Sequence, residues 1–380
     1  MPHSRAATST DSADAIVVGG GLVGSAVAYG LARRGLNVIV LDEGDVAYRA
    51  SRGNFGLIWV QSKGCGAPEY QGWTRLSSDD WSGFASELKS ETGVDCGHER
   101  PGGVQICLTE EELEIRRAMM EQLRRESAER AFDYQMLDRA ELKSLVPAVG
   151  PQAVGASYTA YDGHANPLYL LRALHAAITQ RGGRYVPNAR VIDVRPAGTG
   201  FAVTAGGHHY RAAKLVLACG LGNKDLAPRI GLNVPVMPVR GQIIVTERLK
   251  PLLAIPNITV RQTVEGSIMI GESREEAGFD DATSAEVIKR LADRAVRMFP
   301  LLKDVSAVRT WAALRVMSPD GLPIYEQSPD YPDAFVCTCH SGVTLAAAHA
   351  LHYAGYVADG RLPERLQRFS SARFDVQAAA

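Results

Sequence analysis

Apolar blocks near the start of the chain are short and abruptly broken. Ala15–Val18 is an apolar, partly β-branched run that enters Gly19-Gly20-Gly21-Leu22-Val23-Gly24, and a helical stretch follows to near Gly35. Leu36–Leu41 is a second run, closed by Asp42. Runs apolar at every position suit strands covered on both faces, as in a parallel sheet. Beyond about residue 75 the pattern becomes polar and helical over Asp79–Thr92 and Glu110–Arg130, which reads as an insertion. Asn188–Val194 and Phe201–Thr204 predict a hairpin, and Lys214–Gly220 another buried strand ending in glycine. Within 234–314 the strand-like runs QIIVTE, NITVRQ and SIMIGES accompany a helix over Ser284–Phe299, predicting a second, sheet-containing unit. DAFVCTCHSGVTLAAAHALHYAGYVADG reads as strand, glycine turn and long helix. The expected architecture is α/β: a nucleotide-binding portion that is interrupted after about residue 75 and resumes near Lys214, and a second, sheet-containing domain.

Strand, glycine turn, helix, strand and acid in this order form a dinucleotide fingerprint. Gly19 permits the tight turn, Gly21 lets backbone N–H groups approach a pyrophosphate, and Gly24 allows close helix–strand packing. Asp42 is the expected acceptor for ribose hydroxyls, with Glu43 beside it as the next candidate. The turn at Gly342 places a second helix N-terminus where it can face a cofactor.

Hydrophobic residues make up 46% and charged residues 22% of the 380, enough apolar material for a folded core of one or two domains. With 41 basic against 42 acidic residues and no one-sign run, nothing points to nucleic acid. Cys65, Cys96, Cys107, Cys219, Cys337 and Cys339 are scattered without metal or disulfide spacing, so reduced thiols and no metal site are expected. The polar N-terminal stretch lacks the apolar segment of a secretory signal, and no apolar run reaches the ~20 residues of a spanning helix, so a cytoplasmic location is expected.

Four segments, VVGGGLVGSAVAYGLARRGLNVIVLD, LVLACGLGNKDLA, PVMPVRGQIIVTE with SIMIGES, and WAALRVMSPDGLPI followed by CHSGVTLA, together resemble the D-amino-acid-oxidase-like flavoprotein family of glycine and sarcosine oxidases. GQIIVTERLKPLL, the GES…GFDD stretch and CHSGVTLA are most similar to the FAD subunits of opine oxidases, and also resemble hydrogen cyanide synthase and D-hydroxyproline dehydrogenase subunits. The resemblance implies an α/β fold in which a discontinuous Rossmann-like FAD-binding domain of the GR2 type, over 1–78, 145–230 and 315–380, packs against a second α+β substrate domain on a mixed, largely antiparallel sheet over 79–144 and 231–314. It also implies oxidation of the carbon–nitrogen bond of an amino acid or derived secondary amine by hydride transfer to flavin. Electrons would pass to a partner subunit carrying an iron–sulfur centre, with a further nucleotide or flavin group in some complexes. A stand-alone oxidase using oxygen, or a non-catalytic flavin scaffold, are the competing readings.

By the same resemblance, Gly19, Gly21, Leu22, Val23, Gly24, Asp42 and Glu43 contact the cofactor, as do Ser51, Arg52, Gly53, Asn54 and Gly56, then Val191, Ala218 and Gly220, and finally Gly342, Val343, Thr344 and Leu345. Arg315 occupies the place of the carboxylate-binding arginine, although Val316 follows it where the family has proline. A guanidinium offers a carboxylate two parallel donors. His340 is a candidate for proton transfer. Arg240, Arg261 and Glu272 are candidate substrate-pocket residues on or near neighbouring strands, but strand alternation leaves their faces open. Arg274 reads as a sheet-surface charge, and Lys63 as either a surface lysine or one that reaches the flavin.

Overall fold

Parallel pairing organises the N-terminal fingerprint. In the computed structural model, which describes residues 11–44, 50–127, 131–271 and 273–379, strand Asp11–Val18 lies between Val38–Leu41 and His208–Leu217, parallel to both. The sheet continues with Ala334–Thr338 beside His208–Leu217 and Arg184–Val186 beside Val38–Leu41, and antiparallel Ile324–Gln327 closes one edge. Successive strand residues face opposite sides. Ala15, Val17, Val38 and Val40 therefore pack on the helices Leu22–Arg33, Pro68–Thr92, Pro167–Gln180 and 346–358, while Ile16, Val18, Ile39 and Leu41 meet the hairpin Val191–Ala197/Gly200–Ala205. Both faces being covered is why the strands read as unbroken apolar runs.

Strands Met237–Arg248 and Ala307–Met317 pair antiparallel from Met237↔Met317 to Thr246↔Ala307, and Ser267–Ile270 with Val260–Gln262 complete a four-stranded sheet. The helix Ala285–Met298 covers it. A three-stranded antiparallel sheet, Gly103–Cys107, Gly155–Thr159 and Gln135–Asp138, shares this core, with Val104, Ile106 and Ala156 in one cluster with Ile244, Ile268 and Leu291.

Two segments sit elsewhere than their sequence position suggested. The boundary expected at residue 78 falls inside the helix Pro68–Thr92, whose Trp73, Trp81, Phe84 and Leu88 join the core of the helix Leu22–Arg33. Its apolar stripe has helical spacing, but polar neighbours mask it. Gly155–Thr159, expected within the nucleotide portion, is the central strand of the three-stranded sheet, because long-range pairing decides where a short strand belongs.

Buried polar groups brace the segment that carries Lys63. Arg116, 2% exposed, donates through Nη2 to the Gln61 carbonyl at 2.8 Å and to Gln61 Oε1 at 2.6 Å, and through Nε to Ser157 Oγ at 2.7 Å. Asp162 accepts from Gln61 Nε2 at 2.6 Å and from the Val60 N–H. Burial pushes the Asp162 carboxyl up to about 7. Burial lowers His349 to about 3, while burial and then Arg100 lower His98, and burial and then Arg261 lower His164, each to about 4. These three histidines stay neutral in the fold but take up protons in the unfolded chain below their ordinary 6.5, so each favours unfolding as pH falls through 6.5. Asp162 acts in the opposite sense between 7 and its ordinary 3.8. These four groups alone give a net loss of about 2 to 3 kcal/mol per pH unit between pH 6 and 4.5, at about 1.4 kcal/mol per unit and group. His175 and His340, also held below the ordinary histidine range, act in the same direction. The urea midpoint should fall accordingly from pH 7 to pH 5, and an unchanged or higher midpoint would show that these histidines protonate within the fold.

Candidate cofactor and active site

The glycine turn, the end of the second strand and the 50–54 segment surround a cavity of about 670 Å3. Gly19–Val23, Asp42, Glu43, Ser51, Arg52, Asn54, Val191, Ala218, Gly220, His340 and Gly342 all line it, so the structure brings these sequence candidates together. At its centre the N-terminus of the helix Leu22–Arg33 opens onto the cavity with no acidic residue in its first turn, leaving its positive end for an anion.

Hydrogen bonds fix the turn before any ligand arrives. The Gly20 N–H donates to Asp42 Oδ2 at 2.7 Å, the Leu22 N–H to Ser51 Oγ at 2.9 Å, and the Gly44 N–H to Asp42 Oδ1 at 3.0 Å. Asp42 is thus a builder of the turn as well as a wall of the cavity, and a carboxylate with about four acceptor positions retains room for ribose hydroxyls. A Cβ on Gly21 would lie 2.7 Å from Ser51 Oγ, and one on Gly24 would lie 1.9 Å from the Gly19 carbonyl oxygen. Gly19 has φ +103°, in the region only glycine enters freely.

Sequence reasoning missed two supports of this turn. The Tyr185 hydroxyl donates to Asp42 Oδ1 at 3.3 Å, and its ring fills the space beside Gly20. His175 Nε2 lies 3.0 Å from the Gly20 carbonyl and 2.9 Å from Ser25 Oγ, with its ring stacked on Tyr185 at 4.1 Å. Both come from elements far along the chain, and no local pattern marks them.

The cavity volume lies within the ~300–1,000 Å3 common for ligand sites. A glycine turn that lines the cavity, a helix N-terminus that opens onto it and a carboxylate at the end of the second strand are what a dinucleotide such as FAD requires.

Other candidates stand behind the cavity wall. Gly24 is packing, as its spacing predicts. Gly53 sits under Ala313 and accepts from Trp311 Nε1 at 3.2 Å, and Gly56 lies against Arg261 and the Ala165 carbonyl. Val343, Thr344 and Leu345 are at most 3% exposed and turn into the core. Thr344 Oγ1 accepts from the Trp59 N–H at 3.1 Å, and the Thr344 carbonyl accepts from Ser77 and Trp81. The Val343 and Thr344 carbonyls thus tie this turn to the Pro68–Thr92 helix, leaving Gly342 as the member of this group on the cavity. Arg261 is 3% exposed, donates from Nε to the Phe55 carbonyl and from Nη2 to Met269 Sδ at 3.1 Å, and so braces the 55–56 turn. Arg240 is held by Glu275 at 2.8 Å and Asp280 at 2.6 Å, which satisfies its charge before any substrate arrives. Glu272 lies outside the described residues.

Strand Ala307–Met317 presents two faces. Leu314 and Val316 line the cavity, whereas Trp311, Ala313 and Arg315 point to the other side, where the Arg315 guanidinium lies over Gly241 and Nη1 donates to the Ser273 carbonyl at 2.6 Å. Only glycine at 241 leaves this room, since a Cβ there would be 2.7 Å from Cζ. Lys63 Nζ is 3.2 Å from His340 Nε2, and Ser341 Oγ is 3.1 Å from His340 Nδ1 and 2.8 Å from the Tyr70 hydroxyl. An ammonium group beside Nε2 requires that nitrogen to accept, so the imidazole proton belongs on Nδ1. The Lys63 charge first, then burial, then Arg315 and Arg274 hold His340 well below the ordinary histidine range. His340 is therefore a poor base: its Nε2 lone pair is already engaged. Lys63 is not among the residues that line the cavity but stands against His340, which does.

Among the described residues no helix is long and apolar enough to cross a membrane, and no cluster of three or more His, Cys, Asp or Glu side chains is placed to hold a metal.

Comparison with known proteins agrees with this geometry. An opine oxidase subunit of Rhizobium meliloti is 44% identical over 366 residues, covering 96% of this chain and 99% of that protein. A hydrogen cyanide synthase subunit, HcnC of Pseudomonas aeruginosa, is 28% identical, covering 97% of both chains. The crystal structure of glycine oxidase from Geobacillus kaustophilus superposes with a TM-score of 0.86 at 26% identity, covering 95% of this chain and 98% of that one. The family model described as DAO, FAD dependent oxidoreductase, matches residues 14–355, the span that holds every wall of the cavity. With that match and near-complete coverage at 44% identity, the chain belongs to the DAO family of FAD-dependent oxidoreductases.

Proposed function

We propose that this chain is a flavin-bearing catalytic subunit that oxidises the carbon–nitrogen bond of a carboxylate-bearing secondary amine of the opine class and passes the electrons to a partner subunit. The observation that carries this reading is a pair of placed cations: Lys63 Nζ lies 3.2 Å from His340 Nε2 at the cavity wall, and the Arg315 guanidinium is held over Gly241 by the Ser273 carbonyl. Such a concentration of cations favours an anionic substrate over a simple amine. Two relatives similar over nearly the whole chain are both named as opine oxidase subunits, which supports the substrate class and the multi-subunit assembly.

FAD, when bound, supplies the two-electron acceptor for the hydride that leaves the carbon beside nitrogen. Gly19–Val23 and Ser51 would hold its pyrophosphate, Asp42 its ribose, and Gly342 the ring end. Arg315 binds and orients the substrate carboxylate. Lys63 keeps His340 neutral with its proton on Nδ1. Lys63 Nζ, His340, Ser341 Oγ and Tyr70 Oη form a hydrogen-bonded row that fixes the orientation of the imidazole at the cavity wall. The sheet built on Met237–Arg248 and Ala307–Met317 serves as the substrate-facing unit, and the parallel sheet as the cofactor-facing one. The scattered cysteines lack the spacing of an iron–sulfur ligand set, so we assign that centre to the partner.

Anaerobic mixing of the holoprotein with a panel of compounds tests the reading. N-carboxyalkyl amino acids should bleach the flavin, and amines of the same skeleton lacking carboxylates should not. Reduced protein should then reoxidise slowly in oxygen. A panel that leaves the flavin oxidised would sink the substrate assignment, and rapid reoxidation by oxygen would sink the partner assignment.

A further inference from the structure

The GFDD stretch singled out in the sequence takes no part in the proposed chemistry, yet the structure brings it to the cofactor cavity. Phe279 and Asp281 line that cavity beside Val191, Ile192 and Arg229, although they belong to the loop that leaves the second sheet. Phe279 is 76% exposed and Ile192 is 61% exposed, and both of these large apolar side chains border the same cavity. A phenyl ring left in water costs burial free energy that a ligand's flat surface can recover.

The loop is latched. The Arg240 N–H donates to the Glu275 carbonyl at 2.9 Å and the Glu275 N–H returns to the Arg240 carbonyl at 3.0 Å, so the loop adds one rung beside the strand. The Arg240 guanidinium donates through Nε and Nη2 to Glu275 Oε2 at 3.0 and 2.8 Å and through Nη1 to Asp280 Oδ2 at 2.6 Å. Gln242 Nε2 adds bonds of 3.0 and 2.9 Å to the Glu275 carboxylate. Arg240 and Gln242 lie on the strand face shared with cavity-lining Leu314, which pairs with Arg240. The latch therefore holds the loop on the cavity side of the sheet, opposite the Arg315 face.

We propose that 275–281 is a strap that retains FAD: Phe279 and Ile192 cover the bound dinucleotide, and Arg240 acts through Glu275 and Asp280 as the positioning residue that keeps the strap in place. This gives Arg240 a role in cofactor retention in place of the substrate contact expected from sequence. It also accounts for a family dinucleotide site that draws one wall from the substrate-facing sheet.

Apoprotein reconstitution with FAD, followed by flavin fluorescence, tests the strap without recourse to turnover. Phe279→Ala and Ile192→Ala should each raise the Kd for FAD about five- to thirtyfold, mainly through faster release, with the thermal midpoint of the apoprotein unchanged because both side chains are exposed there. Phe279→Leu should recover part of the loss. Arg240→Met should also speed release, and adding Phe279→Ala to it should cost less than Phe279→Ala alone, since an unlatched strap no longer presents the ring. A Kd for Phe279→Ala within twofold of wild type overturns the proposal, as does full additivity of the two substitutions.

Discussion

Gly24→Ala should give a protein nearly devoid of flavin. The new methyl carbon would sit 1.9 Å from the Gly19 carbonyl oxygen, 3.1 Å from the Gly19 carbonyl carbon and 3.2 Å from Ala218 Cβ. Two of these neighbours are backbone and the third is a Cβ, so no rotamer change relieves the clash. The helix Leu22–Arg33 must back away from the strand, and its N-terminus is the part that meets the cofactor. Overpacking of this kind costs about 1 to 3 kcal/mol of stability. The larger effect is on FAD, because the N–H groups that meet a pyrophosphate lose their aim, and flavin content should fall below about a tenth of wild type. Gly83→Ala is the control: it lies within the helix Pro68–Thr92 with nothing within 4 Å of a new Cβ, and should keep full flavin and gain stability. Flavin absorbance per unit protein, read with a thermal melt, checks both. A yellow Gly24→Ala protein would mean that the helix and strand separate without moving the turn.

Arg315→Lys should slow flavin reduction by substrate about ten- to a hundredfold in kcat/KM while FAD content stays normal, the equivalent of about 1.5 to 3 kcal/mol for a charge-assisted hydrogen bond. The guanidinium is positioned from two sides, by Gly241 beneath it and by the Ser273 carbonyl on Nη1. Lysine replaces this fixed fork by a point charge on a flexible stem, so the reacting carbon loses its orientation as well as its anchor. Gly241→Ala should act in the same direction by pushing the guanidinium aside. The discriminating measurement compares an amino-acid substrate with its decarboxylated amine. Wild type should strongly prefer the acid, and Arg315→Lys should lose most of that preference. A structural arginine would instead show reduced stability with normal kinetics in the folded fraction. Undiminished preference for the acid in Arg315→Lys would transfer the anchor to Lys63 or Arg274, the other cations bearing on His340.

By itself the sequence determined the elements whose signals are local. Gly19, Gly21 and Gly24 between two apolar runs and ahead of Asp42 dictate strand, turn, helix and acid, because backbone sterics and the spacing of glycines act within a few residues. The hairpin near residues 191–205, the helix after Ser284 and the strand ending in KLVL were readable for the same reason, and the match of four segments to one flavoprotein family placed the chain as a whole. Tertiary structure alone decided which faces those elements present and which distant groups meet. Val343, Thr344 and Leu345 belong to a segment expected to face the cofactor, yet their side chains are buried, with Thr344 Oγ1 on the Trp59 N–H. Arg261 and Arg240 lie on strands of the same sheet as Arg315, but one braces the Phe55 turn and the other latches the 275–281 loop. Lys63 meets His340 across 277 positions of sequence, and Tyr185 meets Asp42 across 143. Alternation along a strand says that neighbours face opposite ways but not which way is inward, and no periodicity encodes the pairing of side chains brought together by chain crossover.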